Sequence, residues 1–417
     1  MKEDLLQFVW QQKMLCNKKL IGTKNESIEI IKPGMLNTNS GPDFFNARIK
    51  INETIWAGNV EIHINGNDWI KHKHHLDDAY KNVILHVVYE NDGGLQMPTL
   101  ELKNYISDSL LKTYLQLQQT ATKIPCEKIF TAPDTFTTEQ YLHRLAIERL
   151  EQKCEKAEAE LMAYNQSWEK LFYVHLARYF GMKINAAPFE QLAKNLPIAI
   201  LAKHKYQKSQ IYALILGVAG FLSNNNSTEI LPIKKEFMAL QKKYNLATIN
   251  PSQWKFAKTR PVNFPTVRLL QFAELVFQST HLFSKIMEEK QLSTVVNWLS
   301  VMPQQENYYT KLNQAGLPKS LKPGKAFLEQ LVINAIAPIK FIYGKHQLNE
   351  SYCETAVTWL EQCANEKIGL VGFWKNMGVI SKSAIHSQGI LQLNQQYCMA
   401  KKCLHCNFGQ NFLMQNV

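Results

Sequence analysis

The chain has 417 residues, 46% of them hydrophobic and 20% charged, a balance that suits two or three globular domains and excludes a disordered or fibrous chain. It contains no apolar run of about 18 residues, and Met1-Lys2-Glu3-Asp4 lacks the basic-then-apolar order of a signal peptide, so a cytoplasmic protein with no membrane partner is expected. A formal net charge of +12 points to a polyanionic partner, nucleic acid and DNA in particular, although Lys-rich surfaces also occur without one.

Leu5, Leu6, Val9 and Trp10 fall at helical spacing, which predicts an amphipathic helix over 3–14 with Glu3 placed to suit its dipole. A strand follows at 27–31, then a turn at Pro33-Gly34. From Asp43 the alternation of Phe45, Ala47, Ile49 and Ile51 predicts a strand, and 55–64 returns beside it as a hairpin. Within the second strand Val60, Ile62 and Ile64 point to one face, and Glu61 and His63 to the other. The hairpin brings Asp43 towards Glu61, where two carboxylates can share Mg²⁺ or Mn²⁺. His63 can take a proton from water or bind a softer metal when neutral, and can face a phosphate when protonated.

Asp68-Trp69 leads into His72, His74, His75, Asp77 and Asp78, a set suited to Zn²⁺, to Mn²⁺, to phosphate, or simply to a solvated short helix around 69–80. His86 lies in an apolar strand, 83–89, and reads as a satisfied core residue. After the turn Asp92-Gly93-Gly94 a last strand is expected at 100–103. Its Glu101-x-Lys103 is a weaker second candidate for a catalytic pair. From about 107 the apolar spacing is helical, broken at Gly181, Pro188, Pro197, Asn224-Asn225-Asn226, Pro251, Pro303 and Pro323-Gly324. The expected organisation is α+β: an N-terminal mixed sheet flanked by helices over 1–106, an α-helical domain over 107–345, and a helical C-terminal segment over 346–417.

Two later segments carry chemistry. Trp254 to Arg268 mixes cations, aromatics and Pro. There Lys255, Lys258, Arg260 and Arg268 can hold phosphates while Trp254 or Phe264 stacks on a base, unless the aromatics dock into the core. At the C-terminus Cys398-x4-Cys403-x2-Cys406 has the spacing of metal ligands. Cys126 is the first choice for a fourth ligand, with Cys363 and His405 behind it. Spacing does not decide between Zn²⁺ and an iron–sulfur cluster.

The order helix, strand, Pro42-Asp43 strand, Glu61-x-His63 strand, helix, strand resembles the core of the PD-(D/E)xK nuclease superfamily over about the first quarter of the chain. The resemblance implies a restriction-endonuclease-like fold with Asp43 and Glu61 as metal ligands, and with Glu3 able to complete the site. His63 stands where that superfamily usually has Lys. One upstream Cys joined to a C-terminal Cys trio resembles the iron–sulfur staple of some helicase-associated members. As a whole, with its GPDF, NVEIH, DWxxHxH, LHVV and C-terminal Cys segments, the chain resembles a bacterial family of unknown function.

The leading expectation is a metal-dependent nuclease, or a nuclease-like nucleic-acid-binding protein, with Asp43, Glu61 and His63 at its centre. The alternatives are a non-catalytic nucleic-acid-binding or protein-interaction protein, and a Zn²⁺ or Mn²⁺ hydrolase of a small substrate built on His63, His72 and His74. No phosphate-cradling Gly-x4-Gly-Lys-Ser/Thr loop is present to power ATP-driven work.

Overall fold

A computed structural model describes residues 2–16, 19–223, 226–304 and 320–415. The expected break at Asn224 and Asn225 lies outside them. The chain divides into two compact units: residues 1–138, 376–379 and 391–417 in the first, and 139–375 and 380–390 in the second. The expected boundary at 106/107 falls inside the first unit and that at 345/346 inside the second.

The first unit is built on a mixed sheet. Helix α1 (Glu3–Gln11) comes first and buries Leu5, Leu6, Phe8, Val9 and Trp10. The strands are β1 (Leu20–Ile21), β2 (Ser27–Lys32), β3 (Met35–Leu36), β4 (Phe44–Ile51), β5 (Thr54–Asn65), β6 (Val83–Glu90) and β7 (Thr99–Glu101). Their spatial order is β1-β2-β4-β5-β6-β7, with β3 pairing on β4. The hairpin strands β4 and β5 are antiparallel, and β6 and β7 then add in parallel. Between β5 and β6 run the short helix α2 (Asp68–Lys71) and two single 3₁₀ turns at His74–Leu76 and Asp78–Tyr80, so the one helix expected over 69–80 is broken into three pieces. Helix α3 (Asp108–Gln119), N-capped by the Ser107 side chain, follows the sheet.

One difference in β4 has a clear cause and a consequence for the site. The expected inward set began at Phe45, but Phe44 is the fully buried residue, with Ala47, Ile49 and Ile51. A bulge does this: Phe44 pairs with Val60 and Ala47 with Gly58, so one strand spends an extra residue, and Asn46 takes a left-handed φ of 56°. Below the bulge the alternation changes phase, and Asp43, just before Phe44, comes level with Glu61. Gly58 is required at the same place, because a Cβ there would lie 2.7 Å from the Asn82 carbonyl oxygen and 2.4 Å from a methyl of Ile84.

The second unit is helical. Its core gathers residues from Trp168–Phe180, Lys208–Val218, Pro265–Gln278 and Lys325–Leu331, among other helices. The helical run Lys325–His346 is long and apolar enough by composition to cross a membrane; 72% of its most apolar stretch is buried inside the protein.

Candidate functional site

The site is set by alternation in β5 and by its parallel neighbour. Val60 and Ile62 occupy one face, and Glu61 and His63 the other; both faces are covered, and Glu61 is 5% and His63 2% exposed. In the β5–β6 register Glu61 stands opposite His86, so Glu61, His63 and His86 share a face. The segment after β5 folds back over that face. Helix α2 ends at Lys71, and Lys73 adopts φ 62° before the 3₁₀ turn that begins at His74. A left-handed lysine costs roughly 1–2 kcal/mol, and here it turns the chain between His72 and His74, both of which meet His63.

Ligand atoms of His63, His72 and His74 all lie within 4.8 Å of one another. Glu61 Oε1 is 3.4 Å from His63 Nε2 and also 3.4 Å from His74 Nε2. His72 Nδ1 is 3.3 Å from His63 Nε2. Three imidazoles therefore converge on one point, and Glu61 Oε1 lies against two of them. Behind them His63 Nδ1 and His86 Nε2 are 2.8 Å apart. If His63 presents the Nε2 lone pair to the point of convergence, its Nδ1 carries the proton and donates to His86, a second layer that fixes tautomer and ring plane. His74 Nε2 and His86 Nδ1 are buried with no hydrogen-bond partner. Tyr80 stacks on the far side of the His74 ring at 3.9 Å between centroids, and Trp69 meets it edge-on at 5.5 Å.

The carboxylates sit alongside. The Asp43 backbone N–H donates to Glu61 Oε2 (3.0 Å), and Asp43 accepts from the Ile62 N–H (2.9 Å) and from Gln7 Nε2 of α1 (2.8 Å). Glu3, at the start of the same helix, is close enough to raise the pKa values of Asp43 and Glu61. Burial pushes Glu61 up to about 8, with repulsion from Asp43 and Glu3 adding to it, and pushes Asp43 up to about 6. Burial likewise drives His63 down to about 3 and His86 to about 4, helped in each case by neighbouring histidines. His63 and His86 therefore stay neutral near pH 7, and neutral imidazole is the state a metal ligand needs. Both nitrogens of His63 are engaged with neighbouring imidazoles, Nδ1 with His86 and Nε2 with His72.

The structure brings Glu3, Asp43, Glu61, His63, His72 and His74 together, and His86 joins them. Sequence reading set His86 aside as a satisfied core residue, yet one of its ring nitrogens serves His63 and the other has no partner. The signal was the parallel pairing of β6 on β5, which aligns His86 with Glu61. His75, Asp77 and Asp78 are exposed and outside the group. Asp77 instead caps the second 3₁₀ turn by accepting from the Ala79 N–H.

In the second unit Lys255, Lys258 and Arg260 are exposed. Arg268 is not presented for phosphate: it is 4% exposed, bonded to Gln271 and Asn263, and stacked 3.3 Å from the Phe327 ring centroid. Trp254 is buried and donates to the Ala219 carbonyl, and Phe264 packs on Phe256, so these aromatics serve the core rather than a base.

Cys126, Cys398, Cys403 and Cys406 are buried, each 7% exposed, and all belong to the first unit. Cys363 lies in the second unit.

Residues 3–368 match the family described as protein of unknown function (DUF2851), and the chain belongs to it. No curated protein matches the chain, and no solved structure does.

Proposed function

We propose that this DUF2851 chain is a metal-dependent hydrolase of phosphodiester bonds, with nucleic acid as its substrate class. Glu61, His63, His72 and His74 hold the metal. The observation that carries this reading is the convergence of three imidazoles, with Glu61 Oε1 against two of them and His74 Nε2 left without a hydrogen bond. A buried polar atom with no partner is costly unless something absent from the polypeptide completes it. Three nitrogen ligands and one oxygen favour Mn²⁺ or Zn²⁺ over Mg²⁺, which prefers an all-oxygen shell.

When bound, such an ion lowers the pKa of water and neutralises phosphate charge. The chain's own groups do the rest. His86 holds His63 in register, and Gln7 and the Ile62 N–H fix the Asp43 carboxylate beside Glu61. Asp43 and Glu3 supply further acidic oxygens at the rim. The pairing of Pro42-Asp43 at the head of β4 with Glu61-x-His63 in β5 supports the comparison with PD-(D/E)xK nucleases, with His63 turned from a proton carrier into a ligand. The charge of +12 and the exposed Lys255, Lys258 and Arg260 favour a polyanionic substrate.

The test is hydrolysis by metal-stripped protein resupplied with Mn²⁺, Zn²⁺ or Mg²⁺, on single- and double-stranded DNA, RNA and bis(p-nitrophenyl) phosphate. Cleavage stimulated by Mn²⁺ or Zn²⁺ is expected, falling by more than about 100-fold in Glu61→Ala and His63→Ala, since even outer-layer changes around a metal cost 10–100-fold. Parental rates in both variants would sink the assignment. The exposure of His72 also favours a second reading, a hydrolase of a small ester at the same centre. Turnover of bis(p-nitrophenyl) phosphate with intact polymers would select it. Salt-sensitive DNA binding with no cleavage in any metal would instead select a non-catalytic binding protein.

A further inference from the structure

Strand β5 carries the candidate centre on one of its faces and runs on well past it. Its own alternation is unbroken. The extra residue at each irregular place belongs to a neighbour, to β4 between Phe44 and Ala47 and to β6 between Val83 and Leu85. Ile55, Ala57 and Asn59 therefore stand on the same face as Glu61 and His63. Register carries that face across the sheet. Arg48 lies opposite Ala57 and Lys50 opposite Ile55, while on β2 Lys32 lies opposite Arg48 and Glu29 opposite Lys50. At about 3.3 Å per residue, Ala57 is about 13 Å along the strand from Glu61, and Ile55 about 20 Å.

The segment after β5 covers the Glu61 end of this face, and the far end is open. Lys32, Arg48 and Ala57 are exposed, and Ile55 is 61% exposed. The charges there are unevenly matched. Lys50 has acids at hand, Glu53 at 3.6 Å and Glu29 across the ladder. Lys32 and Arg48 instead oppose each other directly, and neither makes an ion pair or a side-chain hydrogen bond among the described residues. Like charges facing each other across an antiparallel pair destabilise it, and an anion seated between them removes that cost. Beside this pair the exposed side chains of β5 are apolar. Cations next to apolar side chains on an open sheet face suit a single strand, whose phosphates meet the cations while its unstacked bases lie against the sheet. A duplex keeps its bases inside and would leave Ile55 and Ala57 unused.

We propose that this face is a track for single-stranded nucleic acid, with Lys32 and Arg48 clamping a backbone phosphate and Ile55 and Ala57 supporting bases on the way to the histidine centre. The inference rests on the hydrolytic reading of that centre for what the strand is led to; the binding itself needs neither metal nor chemistry. One strand of the sheet then serves both tasks, holding the polymer at its exposed end and the reacting groups at its buried end.

The experiment is fluorescence anisotropy of a labelled oligothymidylate, and of a labelled duplex of equal length, with the metal-free full chain. The proteins are the parent, Lys32→Ala, Arg48→Ala, their double variant, and Lys367→Ala, which removes one exposed charge from the helical unit. The parent is expected to bind the single strand more tightly than the duplex. Each single variant on the face should weaken that binding about tenfold, as loss of a charge-assisted hydrogen bond does, and lower the salt slope by about one. Lys367→Ala should do neither. Parental affinity in the double variant, an equal loss in Lys367→Ala, tighter binding of the duplex, or no binding by the parent overturns the track. Both face residues are exposed, so the variants keep their fold. Turnover of bis(p-nitrophenyl) phosphate separates this inference from the hydrolase reading. The double variant should hydrolyse it at the parental rate, whereas absence of turnover by the parent in every metal sinks the hydrolase and leaves the binding result standing.

Discussion

In the helical unit the buried carboxylate of Glu366 accepts from Ser387 Oγ at 3.0 Å, Gln388 Nε2 at 2.6 Å and Gln330 Nε2 at 3.1 Å, and Gln388 in turn accepts from Arg149 Nε. In the sheet unit the equally buried Glu61 accepts one backbone N–H, and its other oxygen faces two imidazole nitrogens at 3.4 Å. Elsewhere in the helical unit the pattern repeats: Lys340 donates to the carbonyls of Ile286, Met287 and Glu289, and Glu274 accepts from Tyr212 and Lys208. Those networks use polar atoms to fix a packing, and a satisfied buried network stiffens its surroundings. The Glu61 group is arranged the other way. Its acids raise each other's pKa, its histidines suppress each other's protonation, and two ring nitrogens have no partner. Burial alone therefore does not mark a site; several titratable groups buried together and repelling one another do.

The widest test of that contrast is stability. Glu366→Ala strands three donors and leaves Arg149 without its nearby acid, so a loss of roughly 3 kcal/mol is expected by denaturant unfolding. Glu61→Gln replaces a carboxyl that burial already keeps protonated near neutrality, and its stability should match or exceed that of the parent in the absence of metal. Equal losses in both variants would erase the distinction between the two clusters. The next largest effect concerns His86, which touches no proposed ligand point but holds His63. His86→Phe keeps an aromatic ring in place and removes the acceptor, so Mn²⁺ or Zn²⁺ affinity measured by calorimetry should fall about 10–100-fold. Unchanged affinity would reduce His86 to packing.

Much of this was legible in the sequence. The hairpin, the shared face of Glu61 and His63, and the approach of Asp43 follow from a period of two and one turn. The role of His86 was not, because it depends on which strand β6 pairs with and in what register, a non-local fact that an apolar strand does not advertise. The phase change in β4 was hidden too, since a bulge at Asn46 reads in sequence as ordinary alternation. Arg268 misled for the opposite reason. A cation beside aromatics in a Pro-rich stretch looks like a phosphate contact, whereas here the guanidinium sits over the Phe327 ring, 3.3 Å from its centroid, inside the core.

The smallest effect is a slope with pH, and its sign separates Glu61 from its neighbours. Glu61 titrates near 8 in the folded chain against an ordinary 4.5, so the folded state keeps a proton that the unfolded state has lost. That contribution to stability is complete below 4.5 and is lost as pH rises through 8. His63 and His86 run the other way. Depressed to about 3 and 4 from 6.5, they contribute stability that is present above 6.5 and lost on acidification. Asp43, at about 6, has largely titrated by the time 6.5 is passed. Between pH 6.5 and 8, then, the difference in stability between parent and Glu61→Gln should shift against the parent, by at most about 1.4 kcal/mol per pH unit. Subtracting the variant removes the background from distant groups such as Lys340, itself lowered to about 8 by burial. Saturating Mn²⁺ should flatten the parent's slope, because an ion at Glu61 takes the place of the proton, and metal affinity should rise with pH over the same window. If the difference stays level from 6.5 to 8 without metal, Glu61 is already ionised, and an interaction other than the three neighbouring histidines must be balancing its charge.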